Sequence, residues 1–253
     1  MRSRTLAALC GGSALILAAN AQAVYTGLTM TGQTVFANGQ NRNMYRVYAT
    51  FSDPNDYLTV VYGSPTIGAM HIESYDPNTN APGSNFFNPV NSHGSAPTHA
   101  EVFGGFSSTN PVPPIAGAAF DTFFTIGVGA GQDGTGAFGA DGTDNSMMPA
   151  DFINGNSFTN NNAGWNTLGP VEQGRAGWTG DGDLQLRVFM MQLTVSSTSA
   201  VRGTVNIAGV NNTPQGPQSF ILAGQTFNFI PSPAASALLA IAGLFGSRRR
   251  RTV

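Results

Sequence analysis

Few side chains in this sequence can do acid, base or metal chemistry, and they are thinly spread. His71, His93 and His99 are its three imidazoles. His93 and His99, with Glu101 two residues on, bring donor types that zinc accepts. Their spacing matches no zinc signature, and they sit in or beside a Pro/Gly-rich loop, so solvated loop histidines are the plainer reading. Asp133, Asp141 and Asp144 lie in the run GQDGTGAFGADGTDN, and Asp181 and Asp183 flank Gly182. Carboxylates on such bendable backbone suit calcium, a hard cation that collects oxygen ligands. The spacing is neither an EF-hand nor a nonapeptide repeat, and Asp and Gly also simply make turns. Calcium is the one cofactor with a candidate site; otherwise none is expected. Trp165 and Trp178 lie in the same Gly/Asn-rich region, beside Phe152 and Phe158. Aromatic faces near Asn and Asp can stack on sugar rings, which makes extracellular polysaccharide a candidate partner. Large aromatics are mostly buried, however, so the first expectation is that both tryptophans anchor the loop onto a sheet.

Other chemistry is excluded outright. The chain has no lysine, hence neither a P-loop lysine nor a Schiff base. Its single cysteine, Cys10, falls in the N-terminal apolar segment. The rest therefore has no disulfide, thiol nucleophile or thiolate metal site. Neither a Gly-x-Ser-x-Gly elbow nor a His-Glu-x-x-His helix occurs in the body. A carboxylate pair for glycoside hydrolysis can come from distant strands, but nothing singles one out. No catalytic residue is expected, and the body is read as a non-enzyme. Residues 24–230 hold five arginines against all thirteen acids, a formal charge of −8. An acidic, lysine-free surface lacks the basic footprint that nucleic acid requires. Charged residues are only 9% of the chain, so Asn, Thr, Ser and Gly must make most of the polar surface.

The elements that must position these residues read as strands between Gly/Asn/Pro loops. Met44 to Phe51 alternates, with Tyr45, Val47, Ala49 and Phe51 pointing one way and Met44, Arg46, Tyr48 and Thr50 the other. Leu58 to Tyr62 follows the turn-forming Asp53-Pro54-Asn55-Asp56, and the two strands are expected to form a hairpin. Phe120 to Val128 places Phe120, Thr122, Phe124, Ile126 and Val128 on one side. Leu184 to Val195 is the longest apolar run of the body. Val201 to Ile207 alternates after the Ser196–Ser199 connection and is expected to continue a meander. Gln225 to Ile230 puts Phe227 and Phe229 on one face. With weaker segments near Val24, Met70, Val102 and Phe220, about nine to eleven strands are expected. The predicted fold is all-β: one antiparallel β-sandwich over 24–230, with jelly-roll topology as a variant. Two long Gly/Asn-rich loops interrupt it, from Asp76 to Ala100 and from Gly129 to Asp183. No internal repeat of fixed period is present, which argues against a propeller or solenoid.

Both ends carry address labels. Arg2 and Arg4 precede an apolar stretch, Leu6 to Ala19, and Ala21-Gln22-Ala23 supplies a small-x-small cleavage site. Residues 1–23 therefore read as a secretory signal peptide with signal peptidase as its partner and Val24 as the first mature residue. At the other end, residues 231–253 run from Pro231-Ser232-Pro233 through an apolar segment, 234–246, to Arg248-Arg249-Arg250-Arg251. As a helix that segment would be about 20 Å long, a short transmembrane span against a hydrocarbon core of ~30 Å. The arginines behind it hold its end on the cytoplasmic side. A Pro-x-Pro motif, a short apolar helix and a terminal Arg cluster together resemble the PEP-CTERM sorting signal of envelope-bearing bacteria. Ser232 stands where that family's namesake has Glu, and in this it looks like the planctomycete variants. The resemblance covers roughly the last tenth of the chain. It implies transient anchoring in the inner membrane, cleavage near the Pro-x-Pro motif by an exosortase-type enzyme, and delivery to the cell envelope or beyond. The alternative is a plain C-terminal anchor that stays in place. The expected function is that of an exported structural or interaction protein of the envelope or extracellular matrix. A glycan-binding module on the same scaffold is the alternative, and a secreted hydrolase comes third.

Overall fold

The computed structural model describes residues 24–88, 120–128, 155–178 and 185–229. Ten strands are found among them: β1 Tyr25–Ala37, β2 Gln40–Phe51, β3 Tyr57–Tyr62, β4 Met70–Tyr75, β5 Phe123–Phe124, β6 Ser157–Asn160, β7 Gly164–Asn166, β8 Arg187–Ser196, β9 Ala200–Thr213 and β10 Gly216–Asn228. Every pairing is antiparallel. The described residues are all-β, as their alternating runs predict.

One sheet has the order β1-β2-β8-β5. In the other, β9 is the spine. Its residues 202–213 pair with β10, while its opposite edge takes β4 at residues 200–204 and β3 at residues 206–210. β4 is flanked in turn by β6, and β3 by β7. The two sheets meet in one hydrophobic cluster. It takes Tyr45, Val47, Ala49 and Phe51 from β2, Met70 and Ile72 from β4, and Val201, Val205 and Ile207 from β9. The expected inward set of β2 is thus the observed one. Tyr25 stacks near Phe220 at 6.2 Å and Phe124 lies 4.6 Å from Trp165. These contacts place β1 over β10 at one side of the sandwich, and β5 near β7 at the other.

Two expected connections are corrected. β2 and β3 do not form a hairpin, because β2 pairs with β1 and β8 while β3 pairs with β7 and β9. The intervening residues do turn, with the Asn55 amide donating to the Asp53 carboxylate at 2.8 Å. That turn carries the chain from one sheet to the other. β8 and β9 likewise lie in different sheets, so Ser196–Ser199 is a crossover rather than part of a meander. The actual hairpins are β1–β2 and β9–β10. The first closes on Asn38 and Gly39 with φ of 50° and 76°, the two left-handed residues of a type I′ turn.

β8 explains why its run is apolar without simple alternation. A register shift opposite Val47 and Tyr48 leaves Met190 as an extra residue, so Val188, Met190, Met191, Leu193 and Val195 all enter the core. The outer face of β8 is buried too: Phe189 joins Tyr48 and Phe123 in a second cluster. There the Arg187 guanidinium stacks over Tyr48 and that of Arg42 over Phe87, each at 3.9 Å. The expected strand over Phe120 to Val128 shrinks to the two residues of β5, with Phe124 and Ile126 reaching the core.

Candidate functional site

The densest group of titratable side chains among the described residues lies on the outer face of the β9 sheet. β4 sends Met70 and Ile72 inward, which leaves His71 and Glu73 on the outside. Glu73 is paired in register with Arg202 of β9, and their side chains form an ion pair. His71 Nε2 stands 3.4 Å from Glu73, and His71 Nδ1 is 2.6 Å from the Thr159 hydroxyl on β6. On the other flank Arg202 donates to the Asn80 side-chain amide oxygen, Oδ1, at 2.6 Å and stacks over Tyr75 at 4.4 Å. The Tyr75 hydroxyl donates to Asn228 of β10 at 2.9 Å, and burial pushes its pKa up. One polar row thus crosses β6, β4, β9 and β10.

Hydroxyl, imidazole and carboxylate stand here in the order of a nucleophile, a base and an orienting acid. Two observations argue for a structural row instead. The Glu73 carboxylate is committed to Arg202, and none of the row's side chains lines either of the surface hollows described next. Acyl transfer also needs donors aimed at a developing oxyanion and a recess that holds substrate. Cross-strand ion pairs and hydrogen bonds of this kind hold strands in register.

The first hollow, of about 320 Å³, opens between β3 and β7 and is lined by Tyr62, Ser64, Asn162 and Asn166. The second, of about 360 Å³, lies between the start of β1 and β10 and includes Tyr25, Asn211, Phe220 and Gln225. Burial pushes the Tyr25 hydroxyl well above the ordinary tyrosine range.

The sequence-predicted sites fare unevenly. Trp165 is fully buried, and its indole N–H donates to the Thr125 carbonyl at 2.9 Å. A ring with no exposed face offers no platform for a sugar, so Trp165 is removed from the glycan site and stands as a core anchor. Trp178 is half-buried. The calcium candidates Asp133, Asp141, Asp144, Asp181 and Asp183 lie outside the described residues, as do His93, His99 and Glu101. So do the cleavage residues Ala21 and Ala23 and the tail with Pro231, Ser232, Pro233, the 234–246 segment and Arg248, Arg249, Arg250 and Arg251. Among the described residues, no group of three or more His, Cys, Asp and Glu side chains is placed to hold a metal ion. No helix among them is long and apolar enough to cross a membrane. Sequence reasoning passed over the His71 row, although its signal was present. His71 and Glu73 are two apart, hence on one face of a strand, and Arg202 is the outward charge of an alternating segment.

No family model, no curated protein and no solved structure matches the chain.

Proposed function

We propose that this chain is an exported, non-enzymatic structural or interaction protein of the cell envelope or extracellular matrix, delivered by its C-terminal tail. The observation that carries the reading is the pair of address labels in the sequence. A signal-peptide pattern ends at Ala23, and a PEP-CTERM-like tail begins at Pro231. Signal peptidase acts at the first. An exosortase-type enzyme acts at the second, after transient anchoring of 234–246 in the inner membrane. The body between them suits an exposed surface: it has no cysteine to oxidise in mature form and few charges.

Glycan binding is the second reading, and it moves from the buried Trp165 ring to the exposed groups of the hollow that Trp165 helps to line, beside Tyr62. There a tyrosine ring, a serine hydroxyl and two asparagine amides line one recess, the mixture of apolar face and hydrogen-bonding groups that sugars take. Calcium at the Asp133–Asp144 and Asp181–Asp183 loops remains part of the proposal and would raise the melting temperature by mass action.

Fractionating cells that express the chain with and without residues 231–253 tests the sorting reading. The intact gene product is expected in the envelope, and the tail-less one released in soluble form. Identical distribution of the two would overturn it.

A further inference from the structure

β1 and β10 each leave regular register once. β1 shifts between Tyr25 and Gly27, and β10 between Leu222 and Gln225. All four of these residues line the same hollow, the one of about 360 Å³ between the two strands. Bulges re-aim side chains and gather beside functional sites. Here the single irregularity of each strand falls on one recess. The recess also holds polar groups that the fold leaves unserved. The Tyr25 hydroxyl and the Asn211 side-chain oxygen are buried, and neither has a hydrogen-bond partner among the described residues. Both side chains belong to the lining. Native proteins rarely leave such atoms orphaned, because each one costs the desolvation that a hydrogen bond would have repaid. One water takes up only about 30 Å³, whereas small-molecule sites begin at roughly 300 Å³.

The lining also says what kind of molecule fits. Phe220 and Leu222 supply apolar area, and Thr26 and Gln225 add a hydroxyl and an amide. No Asp, Glu, Lys, Arg or His lines the recess, so a charged ligand would give up hydration with no counter-ion to meet it. A plain hydrocarbon would leave Tyr25 and Asn211 orphaned. We propose that this hollow binds one neutral sugar residue of a polysaccharide, with an apolar ring face on Phe220 and hydroxyls on Tyr25 and Asn211. One sugar hydroxyl donates to Asn211 Oδ1, and another accepts from the Tyr25 hydroxyl. The site rests on its own residues and does not need the hollow beside Tyr62 to bind anything.

Titration calorimetry of the full chain, held in a detergent without a sugar headgroup, tests this. The probes are cellohexaose, maltohexaose and mannohexaose, with hexagalacturonate as the charged counterpart. At least one neutral hexamer is expected to bind with a dissociation constant below about 1 mM, and more tightly than hexagalacturonate. Tyr25→Phe keeps the ring and removes the hydroxyl, and should weaken that binding about fivefold or more. The same variant should leave the melting temperature of the sugar-free protein unchanged or higher, since it deletes an unpaired buried group. Tyr62→Ala should bind as the unaltered chain does. Silence from all three neutral sugars overturns the proposal and leaves water as the occupant. So does tighter binding of hexagalacturonate, or a Tyr25→Phe variant that binds unchanged. A Tyr25→Phe variant that melts lower would give the hydroxyl a structural partner and overturns it too. Binding lost in Tyr62→Ala but kept in Tyr25→Phe would put the sugar in the other hollow, which overturns this site and upholds that one.

Discussion

The two sides of the sandwich are built on different principles. At the β1/β10 side, two long hairpins are held by ladders interrupted only by one bulge each and by aromatic pairs such as Tyr25 with Phe51 at 5.9 Å and Tyr45 with Phe229 at 4.9 Å. At the β5/β7 side the strands are too short to satisfy their own backbone, and side chains take over. The Gln192 amide donates to the Asp121 carbonyl at 2.8 Å, and that of Gln173 to the Ile126 carbonyl at 2.9 Å. The Trp165 indole serves Thr125, and the Thr122 hydroxyl accepts from the Thr194 amide at 3.0 Å. Gln173, Gln192, Thr122 and Thr194 are all buried. Buried backbone must find partners somewhere. Where a ladder runs, the sequence needs only alternation; where it stops, it needs particular polar residues at particular places.

The sharpest way to break this contrast is at Gly127, where a ladder has been replaced by close backbone approach. Its φ is +82°, and a Cβ there would overlap the Gln173 carbonyl. Gly127→Ala is expected to cost ~3 kcal/mol or more, enough to lose most of the folded protein in a urea titration. Trp165→Ala should cost about 3–5 kcal/mol, for it opens a core cavity and orphans the Thr125 carbonyl; thermal unfolding measures it. On the ladder side the effects should be smaller. Gly39→Ala forces a Cβ into the left-handed region at the hairpin turn, at a cost of about 1–2 kcal/mol, read as a shift in the denaturation midpoint. A small change at Gly127 beside a large one at Gly39 would reverse the contrast.

The smallest effect concerns Asp56, which ties the inter-sheet turn to β9. Its Oδ1 accepts from the Asn212 amide at 2.8 Å, whereas Oδ2 is buried without a partner among the described residues. Burial raises its pKa. A folded-state value above the unfolded one means that its contribution to stability is full below the ordinary carboxylate range near ~4. That contribution is lost as pH rises through the raised value. Asp56→Asn does not titrate, so its stability relative to the unaltered chain should improve between pH 3.5 and 7.5. A constant difference across that range would remove Asp56 from the pH dependence.

The same contrast explains what could be read in the sequence. β2 was legible residue by residue, because its period-2 pattern reports a face packed on the core and a face turned away. Val201 to Ile207 and the Phe227/Phe229 pair were legible for the same reason. Pairing was less so. Asp53-Pro54-Asn55-Asp56 announces a turn but not which sheet the chain enters afterwards, and that is decided by long-range partners. The hairpin at Asn38-Gly39 went unread, because the Thr- and Gly-rich strand before it lacks the large apolar residues that mark a strand. β8 hid its bulge because it is buried on both faces. The β5/β7 side was least legible, since buried Gln and Thr look like surface residues until their backbone partners are known. Trp165 belongs to this class: the sequence left it between sugar platform and core anchor, and its bond to Thr125 decides for the core.

The export reading is tested most directly by the intact mass and terminal peptides of the protein from native cells. Mature ends at Val24 and close to Pro231, recovered from envelope or medium, are the expected result. A chain still ending in Arg248-Arg249-Arg250-Arg251-Thr252-Val253 and confined to membranes would contradict it, and would make the tail a permanent anchor.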